Sequence, residues 1–147
     1  MSEVKLNDKQ VSFVTWAGIV IVASGLTYAI YKIFFQKSTV DSTLDDLKGQ
    51  GKYPTINDSQ ALSYADQLDN ELDSVFVSES DVYGVFSSLQ NLSDVLLVIS
   101  KYGKRLHFSY NYFGDYSLPE YINLRLSSSE IGQINSILSS KNINYRF

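Results

Sequence analysis

From Val11 to Tyr31 the chain carries no charged side chain. That run limits the fold more tightly than anything else in the sequence. Its twenty-one residues, at about 1.5 Å each, make a helix of roughly 31 Å, the thickness of a bilayer's hydrocarbon core. A transmembrane helix is expected over residues 11–35, beginning at Val11. Trp16 stands near one end, and Tyr28 and Tyr31 near the other, where amphipathic rings settle at headgroup level. Lys32 is expected to snorkel outward along its aliphatic stem, with Phe34 and Phe35 in the interface. A signal peptide and a core helix both fit the run less well. A cleaved signal peptide has a shorter apolar region behind a basic start, and Val22-Ala23-Ser24 makes a poor cleavage site. A core helix of a globular protein shows a polar face, whereas only scattered Ser and Thr interrupt this run.

Gly18, Gly25 and Ala29 share one face of that helix. Small residues there let a second helix approach closely, so self-association through the span is an expected contact. Lys5 and Lys9 precede the span, and Lys32, Lys37, Lys48 and Lys52 follow it. The Lys count tilts the C-terminal side toward the cytoplasm, or toward the interior of a vesicle or virion, and leaves the topology open.

Around the span the chain divides into a polar segment, 1–10, a linker, 36–54, and a soluble domain, 55–147. In the linker Val40, Leu44 and Leu47 mark a turn or two of amphipathic helix, ended by Gly49, Gly51 and Pro54. The rest is polar enough to act as a flexible tether. Residues 1–54 hold six Lys against five acids, and residues 55–147 six Lys or Arg against eleven acids. An acidic domain lacks the basic face that nucleic acid requires.

Within 55–147 the periodicity predicts a compact bundle of four or five short helices, an all-α fold behind a single N-terminal transmembrane helix. Asp58 is the expected cap of the first, with Ala61, Ala65, Leu68 and Leu72 as its apolar stripe. Ser78-x-x-Asp81 opens the second, lined by Val82, Val85, Phe86 and Leu89. The third starts near Leu92-Ser93, buries Val95, Leu96, Val98, Ile99 and Tyr102, and stops at Gly103. The alternating aromatics of 104–115 suggest an extended loop or a short strand. Ser117-Leu-Pro-Glu120 and Ser127-x-x-Glu130 are further helix starts. The tail Ile143–Phe147 is expected to pack back on the domain.

Ala61–Leu68, an acidic loop, Ser80–Tyr83, Leu89, Asp94 and Lys101–Gly103 together resemble one annexin-like helical repeat. More closely, residues 58–147 are similar to small C-terminal helical domains of some bacterial and phage proteins. The resemblance implies a helical fold. In annexins, glycines of the loop after the first helix present carbonyls to calcium and so bind lipid. The matching loop, Asp73–Asp81, lacks those glycines, and the resemblance does not carry the calcium site across.

No catalytic constellation stands out, and the chain is expected not to be an enzyme and to need no cofactor or metal. It has no Cys, so thiolate metal sites, disulfides and cysteine nucleophiles are excluded. His107, the single histidine, pairs on paper with Asp115 and any of many serines, but no nucleophile elbow surrounds one. His107 therefore reads as a surface or loop residue, and Asp66, Asp69, Glu71 and Asp73 as a solvated helix face. Lys104, Arg105, Tyr110, Tyr112, Phe113 and Phe147 are the candidate partner contacts. The expected role is that of a single-pass structural protein tethering a protein shell or membrane-protein assembly to a lipid membrane. The location expected is the internal membrane of a virion or a bacterial inner membrane. The alternative is an annexin-like or other binding module of a bacterial envelope, recognising lipid, glycan or another protein.

Overall fold

The computed structural model describes residues 39–109 and 112–147. The expected span, with Val11, Trp16, Gly18, Gly25, Tyr28, Ala29, Tyr31 and Lys32, lies outside the described residues. So does Tyr110, along with the side chain of Tyr112. Among the described residues no helix is long and apolar enough to cross a membrane.

The described chain is mostly helical: α1 (Thr39–Gly49), α2 (Asp58–Asp73), α3 (Glu79–Ser88), α4 (Leu92–Tyr102), a hairpin of β1 (Lys104–Ser109) and β2 (Tyr112–Ser117), α5 (Leu118–Arg125) and α6 (Ser128–Ser140). α4 is the centre. Its consecutive Val95, Leu96, Leu97, Val98 and Ile99 are all buried. Five adjacent apolar residues occupy more than one stripe of a helix, so α4 needs cover on more than one side. α2 supplies one cover through Ala61, Ala65, Leu68 and Leu72, each fully buried. Burying such a leucine contributes about 2 kcal/mol relative to leaving it in water.

α1 supplies the other cover, and here the structure corrects the sequence expectation. The compact unit begins at Ser38, not near residue 55. Val40, Leu44 and Leu47 face the core, with Leu44 buried. The Ser100 hydroxyl donates to the Asp41 carboxylate. Gly51, at φ 77°, turns the chain where a side chain would be strained. The Ser93 hydroxyl then donates to the Lys52 carbonyl at 2.7 Å. Residues 39–54 are thus folded onto the domain and do not form a flexible tether.

The next turn is fastened by Asp94, which is fully buried. Its Oδ1 accepts from the Thr55 amide at 2.6 Å and the Ile56 amide at 3.4 Å. Its Oδ2 accepts from the Thr55 hydroxyl at 2.7 Å and from the Gln90 and Asn91 amides at 2.8 and 3.3 Å. A carboxylate holding this many donors leaves no lone pair orphaned, the condition under which burying one is tolerated.

The cap of α2 is Asn57, one residue before the expected Asp58: its Oδ1 accepts from the Gln60 amide at 2.9 Å, and the Gln60 side chain accepts from the Asn57 amide at 3.0 Å. Gly103 ends α4 at φ 62°. Glu120 and Glu130 reach back to the Ser117 and Ser127 amides at 2.8 and 2.5 Å, as the capping-box spacing requires. α6 packs on α3. The tail does fold back: Ile143 is buried, Phe147 meets Phe86 edge-on at 5.1 Å, and the Phe147 amide donates to Asn135 at 3.0 Å.

Candidate functional site

The hairpin pairs Lys104 with Ser117, Leu106 with Asp115, His107 with Gly114 and Phe108 with Phe113. Alternation along β1 sends Arg105 and His107 to one face and Lys104, Leu106 and Phe108 to the other.

The inner face is clasped to the helices by a polar network. Arg105 donates to Asp69 at 2.9 Å and to Asp66 at 2.7 Å, and its guanidinium lies 4.7 Å from the centre of the Tyr102 ring. The Tyr102 hydroxyl donates to Asp69 at 2.8 Å, and that of Tyr121 to Asp73 at 2.8 Å. His107 is buried, stacked on Tyr121 with centroids 3.8 Å apart. Its Nε2 lies 3.1 Å from the Tyr102 hydroxyl and its Nδ1 3.3 Å from Asp73. Burial, reinforced by the carboxylate each hydroxyl donates to, pushes the pKa of Tyr102 and Tyr121 well above the ordinary phenol range. Burial opposes the charge of Arg105, but its hydrogen bonds to Asp69 and Asp66 outweigh that and raise its pKa.

Two expectations change here. His107 is an interior residue joining β1, α2, α4 and α5, not a surface or loop histidine. Asp66, Asp69 and Asp73 hold the hairpin and α5 to α2 and are not a merely solvated face. Asp115 sits opposite Leu106 on the outer face, away from His107, so the paper pairing of the two is not assembled.

Loss of the clasp has a measurable consequence. Arg105→Ala removes two charge-assisted bonds and a ring contact, and is expected to destabilise the domain by about 1–3 kcal/mol. A urea titration should show the midpoint falling with the slope unchanged. Arg105→Lys should restore only part, because an ammonium cannot fork between Asp66 and Asp69 while lying over Tyr102.

The outer face is bare. Leu106, Phe108 and Phe113 are 52%, 72% and 73% exposed, with the two Phe rings edge-on at 5.1 Å. On the loop between α2 and α3, Val75 and Phe76 are 88% and 90% exposed. The two groups lie toward the same end of the domain. Arg105 meets Asp66 and Asp69, and His107 meets Asp69 and Asp73, so β1 runs in the direction of α2. Phe108 follows His107 as Val75 and Phe76 follow Asp73. The touching Phe108 and Phe113 rings beside Leu106 form an exposed apolar patch on the hairpin, the kind of surface that is a candidate contact site.

The chain matches no protein-family model, no curated protein and no solved structure. Function therefore has to be read from the chemistry of this surface. Of the candidate contacts, Lys104 and Phe113 are exposed on the outer face. Arg105 is instead taken up inside the clasp, and Phe147 is packed among Phe86 and Tyr145. Sequence reading missed Leu106, Phe108, Val75 and Phe76. The first two were findable: in a strand they share a face with Lys104. Val75 and Phe76 carry a weaker signal, as apolar residues past the end of the α2 stripe.

Proposed function

We propose that the chain is a membrane-anchored, non-catalytic interaction protein that ties a protein assembly to a lipid bilayer. A minor membrane protein of a membrane-containing virion fits this description, as does a bacterial inner-membrane scaffold. The observation that carries the reading is the joining of two features. An uncharged run long enough to cross a bilayer stands seven residues before a compact domain, and that domain displays a bare apolar end. The acidic balance of residues 55–147 points away from nucleic acid as the partner.

One observation favours a second reading, an envelope module with its own small ligand. An open cleft of about 370 Å³ lies among Leu47, Tyr53, Asn91, Leu92 and Asn144. Its mix of apolar and amide groups suits a small polar molecule.

Detergent or chloroform extraction of the native source, followed by mass spectrometry of what stays with the protein, separates the two. Retention with a shell or coat protein is the expected result. Release of the chain alone with the lipid would reject tethering and direct attention to the cleft.

A further inference from the structure

Three segments far apart in sequence meet around the open cleft of about 370 Å³. The turn after α1 brings Lys52 and Tyr53, the start of α4 brings Asn91, and the chain beyond α6 brings Asn142 and Asn144. The volume falls within the range of ligand pockets, about 300–1,000 Å³. The fold fastens the backbone of this cleft and leaves side chains over. The Lys52 carbonyl accepts from the Ser93 hydroxyl at 2.7 Å, and the Tyr53 carbonyl from the Asn91 side-chain amide at 3.2 Å. Asp94 then holds the amides of Thr55 and Ile56. With its carbonyls tied down in this way, the turn still sets Tyr53 64% exposed.

The chain beyond α6 is built on the same plan. Ile143 is buried and Phe147 packs on Phe86, while Asn142 and Asn144 are exposed. Among the described residues no partner takes up the side-chain amide of either asparagine. Asn142 stands at φ 58°, a conformation that glycine adopts with less strain. Asparagine at that position keeps an amide on the cleft.

We infer that the cleft binds a neutral saccharide, one pyranose ring of a glycan, with Tyr53 as the stacking face and Asn142 and Asn144 reading hydroxyls. The inference rests on the small-ligand reading of this cleft given above and names the ligand class. A side-chain amide both donates and accepts. So does each sugar hydroxyl, and the two pair whichever way the hydroxyl hydrogen turns. The C–H face of a pyranose is apolar and lies flat on an aromatic ring. Among the described residues lining the cleft there is no carboxylate, and Lys52 is the one charged side chain. Its ammonium already donates to the Gln50 side chain at 3.1 Å. The acid excess of residues 55–147 further disfavours an anion.

The test uses the full chain in a detergent without a sugar headgroup, read by saturation-transfer NMR. The probes are glucose, galactose, mannose and N-acetylglucosamine, with glucuronate as the anionic control and N-acetylalanine amide as the peptide-like control. Transfer to the ring protons of a neutral sugar, and not to glucuronate, is the expected result. An open cleft holding a single ring implies a dissociation constant of roughly 1 mM. Tyr53→Ala should weaken that binding roughly tenfold and Asn142→Gly roughly fivefold. Neither exchange should move the urea midpoint downward, because Tyr53 lies outside the core and glycine accepts φ 58°.

Transfer to none of the probes would overturn the saccharide and the small-ligand reading together. Transfer to N-acetylalanine amide alone would keep that reading and overturn the saccharide. Glucuronate bound as well as the neutral sugars would overturn the neutral class. Sugar binding unchanged in both variants would place it elsewhere on the protein and overturn the assignment to this cleft.

Discussion

Asp94→Ala should destabilise the domain by about 3–5 kcal/mol, the range found when one partner of a buried charged network is removed. Small domains are stable by only about 5–15 kcal/mol in total, so a marginal native state or none is the expected outcome. The carboxylate takes the amides of Thr55, Ile56, Gln90 and Asn91 and the hydroxyl of Thr55. Methyl leaves those donors without the acceptor they share, in a fully buried position. Asp94→Asn keeps the shape but turns an NH2 toward donors, and it should recover less than half of the loss. The two variants, unfolded in urea beside wild type, check this directly. A change under about 1 kcal/mol for the alanine variant would mean that the donors find other acceptors, and that the α1–α2 turn is held by its apolar contacts.

Tyr121→Ala should cost a similar amount, about 3–5 kcal/mol, by emptying a fully buried aromatic site beneath the hairpin. The ring is stacked on His107 at 3.8 Å and on Tyr116 at 5.7 Å, so both contacts lose their support together. Tyr121→Phe isolates the hydroxyl: it keeps the stacks, drops the bond to Asp73, and should cost about 1 kcal/mol. The phenylalanine variant also tests the pH dependence. The pKa of Tyr121 and Tyr102 is raised in the folded state, by burial and then by Asp73 and Asp69 respectively. A raised pKa gives stability that is complete below the unfolded tyrosine value of about 10 and is lost as pH climbs through it toward the folded value. Thermal melts from neutral to strongly alkaline pH should show wild type losing stability on the alkaline side, and Tyr121→Phe losing less. Parallel alkaline limbs would rule out Tyr121 as a source of the effect.

The helices were legible because their signals are local. Ser117 with Glu120 and Ser127 with Glu130 mark starts by spacing alone, and Gly103 marks a stop. The first cap moved by one residue because Asn57 and Asp58 are both good acceptors, and only the position of Gln60 decides between them. The hairpin was half legible. Alternating residues announced an extended stretch, but no glycine stands between Ser109 and Tyr112 to signal a tight connection in the sequence. The clasp was not legible at all, because Asp69 and Asp73 reach Arg105, His107 and Tyr121 across 34 to 48 positions of sequence. His107 looked like a loop residue for the same reason. The packing of α1 left one trace, since the apolar run of α4 is wider than α2 alone can cover. Of the apolar end, Phe113 was visible as an aromatic in an extended stretch. Its neighbours needed the strand register to be seen as a surface.

The antiparallel docking of α1 on α4 has a mechanical consequence. If the chain is held in a membrane on one side of Ser38 and by an assembly on the domain, any tension between them is delivered first to Thr39. α1 is the element in line, and it is held mainly by Val40, Leu44, Leu47 and the Asp41–Ser100 bond. Peeling it away would release thirteen residues, 39–51, or roughly 40 Å of slack, before the load reached Lys52 and its bond to Ser93 and then Thr55 and its bonds to Asp94. α2, α4 and the hairpin clasp sit behind that stop. The arrangement is that of a shock absorber in series with a fixed clamp. Under such tension the chain would stretch at α1 before α2, α4 and the hairpin unfolded.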